Sequence, residues 1–156
     1  MTARPATGQE PAALGNPLEI QNRHQLAGFL AGRTDDEIAA IVAELGFGRV
    51  LETIFHRMVD EYLPAEGPRD RSVIQWDVEG PDGMYLTWQN FASREGLTVA
   101  PGDAEEPDVT LRIEMLPFLG LMAGTLRGIE VLSAGTLRLK GSLQLAMEME
   151  AWFAVD

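Results

Sequence analysis

The stretch that decides the fold is DVTLRIEMLPFLGLMAGTLRGIEVLSAGTLRLKGSLQLA, residues 108–146. It opens with apolar residues that alternate with polar ones, the pattern of a strand with one buried face: Val109, Leu111 and Ile113. From Met115 to Leu126 no side chain is charged and the apolar residues follow helical spacing. Pro117 suits the first turn of a helix, where its missing N–H is not needed. We therefore expect a strand followed directly by an almost wholly apolar helix.

The end of the stretch predicts a second strand and a last helix. From Thr136 to Lys140 leucines alternate with basic residues, Gly141 breaks the strand, and Ser142 can cap a helix that runs to Phe153. The apolar residues of this last segment also alternate, which would suit a strand. Helix is favoured because Leu, Ala, Met, Gln and Glu are strong helix formers and mostly poor strand formers.

The order of these segments resembles the C-terminal half of the sterol carrier protein type 2 domain. The segments that carry the resemblance are Gly124-Thr125-Leu126, then Gly135-Thr136-Leu137-Arg138-Leu139-Lys140-Gly141 after an interval, then Leu145-Ala146-Met147. The resemblance extends less distinctly over residues 34–153 and is to a stand-alone, bacterial-like member of the family. It implies an apolar tunnel between a sheet and its covering helices, a lipid, fatty acyl or sterol-like ligand, and no cofactor.

The first half of the chain predicts a tail and three helices. Residues 1–17 are rich in Ala, Pro, Gly and Thr and should form a disordered tail before a domain over residues 18–156. Helices are expected over residues 18–31, 34–46 and 47–63. The second begins with a capping box, in which Thr34 and Glu37 satisfy each other's backbone N–H groups.

The pattern between these helices and residue 108 changes to alternation, which predicts three strands joined by turns. They lie near Ser72 to Glu79, Met84 to Phe91 and Leu97 to Val99. With the two strands of the later stretch they give an α+β fold, a single five-stranded, mostly antiparallel sheet with helices covering one face. The second strand leaves open whether the face with Trp88 or the face with Tyr85 and Gln89 looks toward a ligand.

Composition and charge limit the possible partners. The formal net charge of −12 repels phosphates, so we expect no nucleic-acid partner. The apolar helix after the first strand is too short to span a bilayer, and we expect no stable membrane insertion. The chain has no cysteine and no signal-peptide pattern, which favours a cytoplasmic protein. A homodimer is compatible with the sequence.

Methionines and tryptophans spread over the predicted helices and sheet suit a wall around a hydrophobic guest, and equally an ordinary core. The resemblance favours the wall. The residues that we expect to line it are Ile54, Met58, Trp76, Trp88, Ile113, Phe118, Met122, Met147 and Trp152.

Candidates for chemistry are few. Glu52, His56 and Asp60 have one-turn spacing, but this pattern is common on solvated helix faces, and we expect no metal site. Tyr85, Gln89 and His56 are the only candidates for acid or base roles. The leading hypothesis is therefore a lipid-binding or lipid-transfer protein, which holds a hydrophobic molecule without covalent chemistry and is not an enzyme. A cofactor-independent cyclase or isomerase acting on a polyketide- or terpenoid-like substrate, and an interaction module with a filled core, are the alternatives.

Overall fold

The computed structural model describes residues 16–153, so nearly all of the tail expected over residues 1–17 lies outside the described residues. A 3-10 turn, Pro17–Glu19, comes first, and the Asn16 side chain accepts a hydrogen bond from the Leu18 N–H at 2.9 Å. Three helices follow: α1 (Arg23–Leu30), α2 (Asp35–Leu45) and α3 (Phe47–Glu61).

Helix α2 begins with the predicted capping box. Thr34 Oγ1 accepts from the Glu37 N–H at 3.1 Å, and Glu37 Oε1 accepts from the Thr34 N–H at 2.9 Å. The three acidic residues of its first turn also suit the positive end of the helix dipole. The capping box is therefore confirmed, and it fixes where the chain enters α2.

Helix α3 supplies a large part of the helical core. One side of it is buried, because its apolar residues repeat at helical spacing: Val50, Leu51, Ile54, Phe55 and Met58. The helix ends at Glu61, before the predicted Leu63, and Tyr62 turns into extended backbone. The Tyr62 hydroxyl donates to the Ser93 carbonyl at 2.6 Å and so ties the end of α3 to the sheet.

The sheet has the order β3-β2-β1-β4-β5. Its strands are β1 (Ser72–Glu79), β2 (Tyr85–Ser93), β3 (Gly96–Pro101), β4 (Val109–Glu114) and β5 (Arg138–Gly141). The central pair β1 and β4 is parallel, and the other neighbours are antiparallel. The prediction of one five-stranded, mostly antiparallel sheet in an α+β fold is confirmed.

The apolar helix after β4 is shorter than predicted. Helix α4 (Met115–Ala123) ends where Gly124 adopts a left-handed conformation with φ of 80°. The N–H groups of Thr125 and Leu126 both donate to the Gly120 carbonyl, at 3.0 and 3.1 Å, so the chain reverses and Leu126 folds back on the helix. The prediction that this helix reaches Leu126 was wrong because the αL turn at Gly124 stops it.

The segment after this turn contains a helix that the sequence pattern did not indicate, α5 (Gly128–Ser133). The last helix, α6 (Leu143–Glu148), begins with Ser142 Oγ accepting from the Leu145 N–H at 3.1 Å, and continues as a 3-10 turn, Met149–Trp152. The choice of helix over strand for the last segment is confirmed.

The helices cover one face of the sheet. Trp76 of β1 pairs with Trp88 of β2 and with Leu111 of β4, and all three side chains are buried beneath the helices. The opposite face carries Tyr85, which is 42% exposed. The face with Trp88 is therefore the inner one. No helix among residues 16–153 is long and apolar enough to cross a membrane.

Candidate ligand-binding site

A cavity of about 480 Å³ lies between the helices and the inner face of the sheet. It falls within the range of roughly 300–1,000 Å³ in which small-molecule sites occur. Helices α1 and α3, the C-terminal end of α4 and the 3-10 turn after α6 contribute to its wall. Most of the lining side chains are apolar: Ile20, Leu26, Ile54, Met58, Trp76, Leu111, Leu121, Met122, Leu126, Leu137, Ala146, Met149 and Phe153.

The floor of the cavity is the sheet. Trp76 and Leu111 are paired across the parallel strands β1 and β4, and their exposed fractions are 3% and 2%. Both belong to the period-two pattern that places alternate residues on one face of a strand. The two residues that form the floor could therefore be recognised in the sequence as inward-facing.

The mouth of the cavity lies where its lining residues become exposed: Asn22, Gly124, Arg127 and Glu150. The αL turn at Gly124 brings the segment around Arg127 to this rim. Glu150 accepts a hydrogen bond from the Gly128 N–H at 2.6 Å, which joins the start of α5 to the last 3-10 turn. The cavity is thus open to solvent on one side and closed by the sheet on the other.

One part of the wall is charged, and we call Arg23, Arg57 and Glu61 the polar end of the cavity. Arg57 and Glu61 lie one turn apart on α3, and Arg23 begins α1. Arg57 Nη1 donates to the Asp60 carboxylate at 2.7 Å. Arg23 reaches the mouth, since its Nη1 lies 3.4 Å from the position that a Cβ on Gly124 would take.

The donors and the carboxylate of the polar end are incompletely solvated. The Nε–H groups of Arg23 and Arg57 are buried without a hydrogen-bond partner among the described residues. A buried donor without a partner costs on the order of 1–3 kcal/mol. Burial raises the pKa of Glu61 above its usual value, while the Arg23 charge, the Arg23 backbone N–H and the Arg57 charge partly oppose this.

The structure brings four of the nine predicted wall residues to the cavity: Ile54, Met58, Trp76 and Met122. Four others are buried in the adjoining core and are absent from the lining: Trp88, Ile113, Phe118 and Trp152. Trp88 stacks on Phe55 with ring centroids 5.0 Å apart, and Phe118 packs edge-on against Trp76 at 5.4 Å. Met147 is 57% exposed and does not line the cavity, because it lies on the outer side of α6.

The candidates for acid or base chemistry lie away from the cavity. Tyr85 is on the outer face of the sheet, where the Arg112 guanidinium lies 4.5 Å from its ring centroid. Gln89 donates to the Asp103 carbonyl at 3.4 Å, and His56 is exposed on α3, edge-on to Trp88. None of these three side chains lines the cavity.

Sequence reasoning missed the polar end and the contribution of α1. For Arg57 and Glu61 a signal was present, because they flank Ile54 and Met58 on the same helix and so border its apolar stripe. For Arg23 and Arg127 no local signal existed. Their positions depend on how α1 and the Gly124 turn pack against α3. Among residues 16–153 no group of three or more His, Cys, Asp or Glu residues is placed to hold a metal ion.

Fold and site together define a class of protein, an α+β domain with an apolar cavity between one sheet and its helices. Residues 60–154 match the SCP-2 sterol transfer family. The chain therefore belongs to the SCP-2 sterol transfer family.

Two curated proteins are similar to part of this chain. Hydroxysteroid dehydrogenase-like protein 2 of Rattus norvegicus is 30% identical over 106 residues, which are 67% of this chain and 20% of that protein. The Mus musculus protein of the same name matches equally, over 21% of its length. The chain thus spans about a fifth of the length of these curated relatives.

Two solved structures share the fold. Sterol carrier protein 2 like 2 of Aedes aegypti is 26% identical, with a TM-score of 0.55, and the match covers 68% of this chain and 98% of that one. The stereoselective inverting sec-alkylsulfatase Pisa1 from Pseudomonas sp. has a TM-score of 0.60 at 16% identity, over 70% of this chain and 17% of that one. The second likeness is one of fold alone.

Proposed function

We propose that the protein binds a lipid, fatty acyl or sterol-like molecule in the cavity, without covalent chemistry, and transfers it. The observation that carries this proposal is the largely apolar cavity of about 480 Å³ on the inner face of the sheet. Each ligand methylene that leaves water for such a wall contributes about 0.8 kcal/mol. Membership of the SCP-2 sterol transfer family supports the same class of ligand.

The experiment is to measure stability in the presence of ligands, together with a variant that fills the cavity. A ligand that binds only the native state stabilises it, by about 2.7 kcal/mol when its concentration is a hundred times Kd. Denaturation midpoints would be measured with a panel of saturated alcohols, acyl chains and sterols. Native mass spectrometry of the purified protein would show whether a lipid co-purifies.

The cavity-filling variant is Ala146→Phe, because Ala146 lines the cavity and a phenyl ring there would occupy it. Its control is Ala43→Phe, the same substitution at an exposed position of α2. We expect ligand-dependent stabilisation in the natural sequence and in Ala43→Phe, and little in Ala146→Phe. The proposal fails if no lipid of the panel raises the midpoint, or if Ala146→Phe responds like its control.

A further inference from the structure

Two hydrogen-bond donors at the polar end of the cavity have no acceptor in the part of the chain that the structure describes. The Nε–H groups of Arg23 and Arg57 are buried and have no partner among the described residues. Arg57 is bound to Asp60 through another nitrogen, and Arg23 forms no ion pair with a described residue. A guanidinium is a fork of donors with no acceptor and remains charged at all relevant pH values, so what each of these two Nε–H groups lacks is an accepting atom.

The placement of these arginines runs against the overall charge of the protein. The chain carries 12 basic residues against 24 acidic ones, yet arginines from three different segments line this one cavity: Arg23, Arg57 and Arg127. Their charged heads stand beside an apolar wall that would suit a hydrocarbon chain. A cavity with an apolar body and a donor-rich end matches an amphiphile whose polar head is an anion.

The charges already present at the polar end determine what the binding of an anionic headgroup would require. At the polar end the guanidinium charges of Arg23 and Arg57 are matched by the carboxylates of Glu61 and Asp60. Asp60 is exposed and already accepts from Arg57, so water and Arg57 satisfy its carboxylate and it does not face the cavity. An added anion would leave an excess negative charge next to an apolar wall, unless Glu61 became neutral.

We infer that the cavity selects amphiphiles with an anionic headgroup, which binds at Arg23 and Arg57, and that Glu61 takes up one proton as the headgroup binds. This inference rests on the proposed function, since it assumes that a hydrophobic chain fills the cavity. The partial burial of Glu61, which raises its pKa, lowers the free energy that the proton uptake requires.

The expected pH dependence follows from the groups that face Glu61. Arg23 from α1 and Arg57 from α3 favour its ionised form, Asp60 opposes it, and Arg127 with Glu150 line the more distant mouth. A bound anion raises the pKa of Glu61 further. Affinity for an anionic amphiphile should therefore be highest below that pKa and fall as pH rises through it.

The probes are decanesulfonate, used below its micelle concentration, and decanol, which has the same chain and no charge. A sulfonate stays ionised from about pH 4 to 8, so any pH dependence of its binding reports the protein and not the ligand. The two dissociation constants would be measured by calorimetry across this range, with near-ultraviolet circular dichroism as the check that each protein remains folded.

The variants are Arg23→Gln, Arg57→Gln and Glu61→Gln, and Arg49→Gln is the control, because Arg49 is an exposed arginine of α3 that does not line the cavity. We expect decanesulfonate to bind at least about tenfold tighter than decanol at the acidic end of the range. Each arginine variant of the polar end should weaken decanesulfonate about tenfold and leave decanol unchanged. Glu61→Gln should abolish the pH dependence, and Arg49→Gln should change nothing.

Equal binding of the two probes, or equal losses in Arg49→Gln and Arg57→Gln, would overturn the headgroup site while leaving the proposed function intact. A pH dependence that survives in Glu61→Gln would overturn the proton uptake. If decanesulfonate is the tighter ligand, decanoate and decyl phosphate would show which anionic head the site prefers. If neither decanesulfonate nor decanol binds, the headgroup site is overturned, and the proposed function fails with it only if no lipid of the panel stabilises the protein either.

Discussion

Shortening Leu111 to alanine should lengthen the chain that the cavity prefers. Leu111 is 2% exposed and forms the floor with Trp76, so Leu111→Ala extends an existing space by the volume of three carbon atoms. The substitution should lower the free energy of unfolding by about 2–5 kcal/mol, as buried leucines do. A ligand chain that enters the new space would recover part of this loss.

The magnitude follows from the transfer free energy of hydrocarbon. Two to three additional methylenes, each contributing about 0.8 kcal/mol, give about 2 kcal/mol, or about thirtyfold in Kd. The assay is calorimetric titration of both proteins with a homologous series of saturated primary alcohols, whose uncharged heads keep the result independent of the polar end. We expect the tightest-binding alcohol to be two or three carbons longer for Leu111→Ala.

The control is Leu119→Ala, because Leu119 is 1% exposed in α4 but does not line the cavity. It should lose similar stability and leave the preferred chain length unchanged. The reasoning would be refuted if Leu111→Ala kept the original optimum, or if Leu119→Ala shifted it equally.

Two further predictions concern the parts of the fold that position the site. Gly141 has φ of 108°, and a Cβ there would collide with the Asp108 carbonyl. Gly141→Ala should therefore lower the free energy of unfolding, measured in urea, by about 2 kcal/mol or more. The control is Gly135→Ala, which should lower it by about 1 kcal/mol, because Gly135 has φ of 78° but open space around it. A similar loss in both would contradict the steric argument. Tyr62→Phe removes the bond to the Ser93 carbonyl and should cost about 1 kcal/mol. Burial raises the pKa of Tyr62 above its ordinary value of 10.0. Above that pH the tyrosine ionises first in the unfolded state, so the natural sequence should lose stability there and Tyr62→Phe should lose less. Parallel profiles of unfolding free energy against pH would contradict this.

The parts of the fold that could be predicted are those that depend on local periodicity. The strand from Val109 and the helix from Met115 were visible because alternation and helical spacing each identify a buried face within a few residues. The capping box at Thr34 was equally local. The helix Gly128–Ser133 was not predicted, because six residues between two glycines give too short a repeat to recognise.

The candidate site was only partly predictable for a related reason. Burial patterns identify residues that face inward, and all of the predicted wall residues except Met147 are buried or half-buried. They do not tell which inward residues meet a cavity and which fill the core. Trp88 illustrates this, since it lies on the same face as Trp76 but is covered by the ring of Phe55.

The sequence by itself determined the α+β class, the order and approximate bounds of most elements, the inward faces and the family resemblance. These depend on the chemistry of neighbouring residues along the chain. The tertiary structure alone decided that a cavity remains between α1, α3 and the sheet, and that Arg23 comes to the same end of it as Arg57 and Glu61. Residues so far apart in sequence meet only when the helices pack on the sheet, and no local sequence pattern indicates that contact.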